Sequence, residues 1–186
     1  YLRASDNAKA RENFETAKKY RSRLSTREAM QLDANLAMLG PPGLAVEQWL
    51  TFARSYPDAY VAYLRAAQIE IYYLQRYEKA LQTLQPAINA QNPAMATVMY
   101  NVGMSRLALG QYEEAKSAFA KYESLGGRGF NRDYADVFAA QRRFAEAMRV
   151  LNKQERTGAS GQDLDMRLPD ITYALDQGGW ARGMQA

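Results

Sequence analysis

Alanine recurs at Ala10, Ala45, Ala80 and Ala115, three successive steps of 35 residues, and Ala147 follows after 32, in a chain of 186 residues. A fixed period of this length marks a repeat architecture, in which one supersecondary unit is copied and each copy buries its apolar face on the next. Each alanine has an apolar partner four residues on: Phe14, Trp49, Leu84, Phe119 and Leu151. Positions i and i+4 share one face of an α-helix, so each copy offers a small residue where a neighbouring helix comes close and a large one to fill the gap. Three residues before four of the alanines stands a ring or a proline, namely Pro42, Tyr77, Tyr112 and Phe144. These follow turns marked by Gly40-Pro41-Pro42-Gly43, Gln75-Arg76, Gly110-Gln111 and Arg142-Arg143. A ring just after the turn is expected to pack back against the preceding helix and fix the hairpin angle.

The same pattern predicts the helices. Ser5 or Asp6 can cap a helix running to about Tyr20, and Ser25-Thr26-Arg27-Glu28 offers a capping-box start for the next. Further helices are expected over 43–55, 59–74, 77–90, 94–109, 112–124, 131–141, 144–156, 164–177 and 180–185. No stretch has the alternation of a half-buried strand, and the run Ile69 to Leu74 lies between Ala66-Ala67 and a turn, which favours helix. The fold class is all-α: an α–α superhelix, or solenoid, of antiparallel helix pairs with about ten or eleven helices.

These residues resemble the tetratricopeptide (TPR) repeat, a unit of two antiparallel helices. In the copy from Ala96 to Gly129, residues Gly103, Gly110, Tyr112, Ala115, Phe119 and Tyr122 fall where the family places its small and aromatic signature residues. The copy from Val61 to Pro93 matches with Leu64, Ala67, Ile71, Tyr77, Ala80, Leu84 and Ala87, and departs at Gln68, where a small residue is usual. From Thr26 to Pro57 the match is weaker, with Asp33 and Pro42 in place of the small and aromatic residues. Tyr56-Pro57 and Asn92-Pro93 resemble the family's repeat-ending proline. Beyond Gly129 the resemblance loosens at Asn131, Arg142 and Gln154. It implies a single array over 1–186: a half repeat at 1–20, repeats at 26–57, 61–93, 96–129 and 130–158, and a partial repeat at 164–186.

Composition is compatible with one domain or a short array, since 47% hydrophobic residues supply a continuous core and 24% charged residues cover it. No apolar run approaches the roughly 20 residues that span a bilayer, and the first residues do not read as a signal peptide. Residues 1–20 read as the second half of a hairpin, and Gly178-Gly179-Trp180 as a turn before a helix cut off at Ala186. The chain is therefore expected to be a fragment of a longer protein, with cytoplasmic placement favoured over periplasmic.

Catalytic chemistry finds little purchase. With no cysteine and no histidine, thiol chemistry, zinc sites of the usual kind and histidine acid–base catalysis are excluded within the chain. Glu113-Glu114 reads as solvated helix surface, and Asp163 with Asp165 as a polar connector. Gly126-Gly127-Arg128-Gly129 lacks the preceding strand and the Gly-Lys-Ser/Thr ending of a phosphate loop, and reads as a repeat connection. Gly158-Ala159-Ser160-Gly161 lacks the spacing of a nucleophile elbow. The sequence asks for no cofactor and no metal.

Charge is uneven. Residues 1–27 hold eight Lys or Arg against Asp6, Glu12 and Glu15, a local +5 that exceeds the +4 of the whole chain. The cations are scattered around the helix among the two glutamates, so a solvated or interdomain helix is favoured over nucleic-acid binding.

In the TPR family the first helix of each pair lines a concave groove that binds peptides or partner domains. By matching positions, the resemblance implies Met30, Gln31 and Ala34 from one repeat, then Arg65, Ile69, Tyr72 and Tyr73 from the next. Tyr100, Asn101 and Met104 follow, then Arg132, Asp133 and Asp136. Tyr and Arg bury large areas while keeping a polar end, and Met adapts to varied shapes. Some of these residues must instead be core. Family members that grip a C-terminal carboxylate use two Asn and several cations. Here Arg65 and Asn101 fall at such places, whereas Ile69 replaces the second Asn and Asp133 an expected cation, which would repel a carboxylate. A mixed apolar and polar partner surface is expected instead.

The resulting function is a non-catalytic scaffold that binds a protein or peptide partner in its groove, with self-association also open to it. The alternative is the repeat-bearing sensor or docking region of a larger bacterial signalling enzyme or transcriptional regulator, which Leu24-Ser25-Thr26-Arg27-Glu28 and Ser55-Tyr56-Pro57 loosely resemble.

Overall fold

A computed structural model describes residues 4–127 and 130–155. Among them are nine α-helices: α1 (Ala4–Lys19), α2 (Thr26–Ala37), α3 (Pro42–Ser55), α4 (Tyr60–Tyr72), α5 (Tyr77–Leu84), α6 (Met95–Ala108), α7 (Tyr112–Ser124), α8 (Phe130–Ala140) and α9 (Phe144–Glu155). Two 3₁₀ turns, Arg21–Arg23 and Gln85–Ala87, complete the order, with no strand among the described residues. The helices expected over 164–177 and 180–185, the partial repeat and the segments around Asp163 and Ser160 lie outside the described residues.

The helix bounds follow the sequence pattern closely, with one correction. The helix expected over 77–90 ends at Leu84 and tightens into the 3₁₀ turn, because Pro86 has no N–H to continue the α-helical ladder. The side chain of Asn92 then organises the way into α6: its amide donates to the Ala87 carbonyl at 2.8 Å, and its oxygen accepts from the Ala94 N–H at 2.9 Å. At the start of α2 the capping box is present. Ser25 Oγ accepts from the Glu28 N–H while the Glu28 carboxylate accepts from the Ser25 N–H at 2.9 Å. A hydrogen bond from the Ser25 hydroxyl to the Glu28 carboxylate at 2.7 Å, and second the one from the Ser25 N–H, hold the Glu28 carboxyl below its ordinary range.

Pro42, Tyr77, Tyr112 and Phe144 are the first residues of α3, α5, α7 and α9. The four alanines three residues later, Ala45, Ala80, Ala115 and Ala147, are all buried, as are Trp49, Leu84, Phe119 and Leu151. Residues with positive φ occupy the turns before three of these helices: Gln75 (φ 52), Gly110 (φ 71) and Arg142 (φ 60). At the latter two the chain closes as a Schellman motif, with the Gln111 N–H donating to the Arg106 carbonyl and the Arg143 N–H to the Phe138 carbonyl, each at 2.9 Å.

The described residues fall into two compact units divided between Asn101 and Val102, inside α6. The first has an aromatic core. Trp49 and Phe52 of α3, each 1% exposed, pack with Ala34 of α2 and with Ala62, Ala66 and Ile69 of α4. Phe52 meets Trp49 at 6.3 Å and the edge of Tyr56 at 5.6 Å between centroids. At the rim, Arg27 lies 5.1 Å from the Tyr56 ring centre and 2.9 Å from Asp58, and Arg21 grips Asp33 at 2.6 Å.

In the second unit Gly103 lies at a close approach: a methyl group there would collide with the Phe119 ring. Phe119 meets Tyr134 of α8 edge-on at 6.5 Å, and the Tyr134 hydroxyl donates to the Lys116 carbonyl at 3.1 Å, tying α8 to α7. The Tyr112 hydroxyl donates to the carbonyl of Ala140, at the end of α8, at 3.5 Å. The α8–α9 core is built of Ala135, Ala147 and Leu151, with Phe138 and Phe144 packed against it.

Candidate docking face

Helix α4 is walled in on most of its circumference. Ala62, Leu64, Ala66, Ala67, Ile69, Glu70 and Ile71 are all buried, leaving one narrow strip open. Val61, Arg65, Gln68 and Tyr72 occupy it, at i, i+4, i+7 and i+11, which is a single helical face. Gln68 is partly buried and the other three are exposed, Tyr72 by 52%; the adjoining Tyr73, which caps the helix, is 71% exposed. Two tyrosines this open at the end of an otherwise packed helix offer amphipathic contact area to a partner.

Electrostatically the strip carries one charge. Arg65 donates from Nη1 to Gln68 Oε1 at 3.2 Å, and among the described residues no carboxylate comes within 4.0 Å of its guanidinium. The one acid of α4, Glu70, is buried. Burial pushes its pKa up, against the opposing effects of a hydrogen bond with Thr83 and the charges of Lys79 and Arg76. On α2, Gln31 is exposed and Met30 half-buried, while the acids Glu28 and Asp33 are engaged by Ser25 and Arg21.

The expected groove residues thus separate by exposure. In the first unit, Gln31, Arg65, Tyr72 and Tyr73 are exposed, whereas Met30 and Tyr100 are half-buried. Ile69 lies in the aromatic core at 4% exposed and Ala34 is fully buried, so both serve packing. Asn101 is 1% exposed, with its amide donating to the Thr97 carbonyl at 2.7 Å. In the second unit Arg132 is exposed and Met104 and Asp136 are half-buried. Asp133 is buried, and its pKa is raised to about 7 by burial first and by the nearby Asp136 charge second, with Arg132 opposing. Sequence matching missed Val61 and Gln68 as members of the open strip; counting i+4, i+7 and i+11 along the helix would have found them.

Glu113 and Glu114 stand exposed on α7, as a solvated surface requires, with Glu113 paired to Lys116 at 2.7 Å. No group of three or more potential metal-ligating side chains occurs among the described residues, and no described helix is long and apolar enough to cross a membrane. Gly126 (φ 85) is the left-handed C-terminal cap of α7, closed by the Gly127 N–H on the Tyr122 carbonyl at 3.0 Å. Arg128 and Gly129 of the same loop lie outside the described residues.

No protein-family profile matches the chain. No curated protein matches it either. Solved structures do. PilW, a widely conserved type IV pilus biogenesis factor, superposes with a TM-score of 0.77 at 17% identity, over 100% of this chain and 84% of PilW. A tetratricopeptide repeat protein from Parabacteroides merdae gives 0.72 at 18% identity, over 95% of this chain and 69% of that one. The Pseudomonas aeruginosa protein PilF gives 0.64 at 20% identity, over 96% and 89%. The chain is an all-α helical-repeat protein. Its fold is that of the tetratricopeptide repeat.

Proposed function

We propose that the chain is a protein-interaction scaffold that docks a peptide or a partner domain on the open faces of the first helices of its pairs. The observation that carries this reading is the strip on α4, where Tyr72 and Tyr73 stand 52% and 71% exposed on a helix otherwise packed on nearly every side. Interfaces draw their strongest anchors from Tyr and Arg. Gln31 and Met30 of α2, with Tyr100 of α6, extend the contact set within the first unit, and Met104 and Arg132 are proposed as contacts of the second. The likeness to tetratricopeptide-repeat structures supports the reading by fold.

The test starts from a partner isolated by affinity purification of the protein from its native source and identified by mass spectrometry. With that partner purified, Tyr72→Ala combined with Tyr73→Ala is expected to weaken binding by at least about tenfold, which corresponds to about 1.4 kcal/mol. Helical content and melting temperature should stay near those of the unaltered chain. Unaltered affinity would overturn the reading, and so would a collapse of helical content, which would make the two rings part of the fold's own packing.

A further inference from the structure

Resting on the docking reading above, we infer that the α8 face around Asp133 receives a basic side chain, Lys or Arg, from the segment docked on the second unit. Asp133 is 6% exposed, and among the described residues no Lys or Arg nitrogen comes within 4.0 Å of its carboxylate. No hydrogen bond to the side chain offsets the burial; the charges that act on it are Asp136, which opposes ionisation, and Arg132, which favours it. The buried acid of the first unit is provided for differently. Glu70 has a hydrogen bond with Thr83 and the charges of Lys79 and Arg76, and its Oε2 is shut off from solvent.

An ionised carboxylate placed this deeply without a cation costs free energy, and a cation brought by a partner offsets that cost. Asp136 adds to the attraction. It stands one turn along α8 from Asp133, half-buried, and its charge reaches the Asp133 carboxyl. The charged residues of α8 are these two acids and Arg132, so the helix is negative on balance. Reach then decides the guest. An aspartate side chain is short and Asp133 is nearly covered, so the cation must stand at the end of a long stem that can follow it in, as Lys and Arg provide. The sign also suits the position. Helix α8 is the first of its pair, the kind that the docking reading assigns to partners, and an acid that repels a carboxylate there attracts a cation.

Random dodecapeptides displayed on phage and selected against the full chain provide the test, at pH 8, above the pKa of about 7 that burial gives Asp133. Enriched peptides are synthesised and titrated by fluorescence polarisation. The expected peptides carry a Lys or Arg whose replacement by norleucine weakens binding by about tenfold or more, and Asp133→Asn should weaken the unaltered peptide to a similar degree. The two changes together should cost little more than either alone, because both break one ion pair. Asp133→Glu, which keeps the charge, should weaken binding less, and Glu114→Gln on the exposed side of α7 should have no effect. Circular dichroism on each variant separates loss of binding from loss of fold, and the norleucine peptide reads the same pair on the unaltered chain. Enriched peptides that lack a basic residue, that keep their affinity with norleucine, or that are indifferent to Asp133→Asn would overturn the inference, as would no enrichment at all. The docking reading stands in each of those cases if a purified partner still loses affinity on Tyr72→Ala combined with Tyr73→Ala.

Discussion

The two units solve the same packing problem with different materials. In the first, the regular 35-residue spacing places Trp49 and Phe52 against Ala34, Ala62 and Ala66, and large rings settle on small neighbours. In the α8–α9 part of the second, the interval has shortened to 32, the core is Ala135, Ala147 and Leu151, and the carboxyl of Asp133 is buried beside it on α8. Regular spacing goes with fully buried rings, whereas the shortened interval goes with a smaller buried set covered by the partly buried rings Phe138 and Phe144; each unit also holds one desolvated acid, Glu70 in the first and Asp133 in the second. Burying apolar area stabilises in proportion to that area, while burying a carboxyl costs free energy unless it is protonated or paired.

The contrast is most open to breakage in the two apolar cores, where the effects are largest. Trp49→Ala should cost about 3 to 5 kcal/mol in a urea melt, whereas Leu151→Ala should fall near the low end of the range for its type, about 2 kcal/mol. Equal losses would mean that the two cores are equally packed. Next comes Gly103→Ala, in which the new methyl must displace the Phe119 ring; it should destabilise by about 1 to 3 kcal/mol even though alanine is the better helix former. A neutral or stabilising result would show that the ring can give way.

Acid titration sharpens the same contrast. Asp133 has a folded-state pKa of about 7 against 3.8 when unperturbed, so across that interval the folded chain holds a proton that the unfolded chain has released. Its contribution to stability is therefore fully present below about pH 4 and is lost as pH rises through about 7. Asp133→Asn should remove this component, raising the melting temperature by a few degrees, on the order of 2 to 8 °C, at pH 8 and leaving it little changed at pH 4. Equal effects at the two pH values would contradict the assignment. The smallest effect is expected in the turns. Gln75 and Arg142 hold positive φ with side chains that disfavour it, so Gln75→Gly and Arg142→Gly should each stabilise by about 0.5 to 1 kcal/mol, read as a shift in urea midpoint.

Much of this organisation could be read in the sequence because it depends on local rules. The alanine and bulky pairs at i and i+4 mark a helix face, and Pro42, Tyr77, Tyr112 and Phe144 mark helix starts, since both signals act within one turn of backbone. The early end at Leu84 was also legible in principle, from Pro86. Exposure was not. Ile69 and Tyr72 sit three residues apart on one helix, and only the packing of α3 and α4 decides that the first is core and the second is open. Asn101 and Asp133 are polar residues that pattern reasoning assigns to a surface, yet both are buried. Burial depends on which helices meet, and that information is distributed along the chain.

The central claim is that first helices present a docking face while second helices supply the packing. Its most direct measurement is site-specific photo-crosslinking in the protein in its native cells, with a photoreactive residue placed in turn at Tyr72 and Tyr73 of the α4 face and at the exposed Glu47 of α3 and Lys79 of α5. Adducts to a common partner from Tyr72 and Tyr73, with none from Glu47 or Lys79, are the predicted result. Adducts confined to Glu47 and Lys79 would place the partner on the second helices and contradict the account.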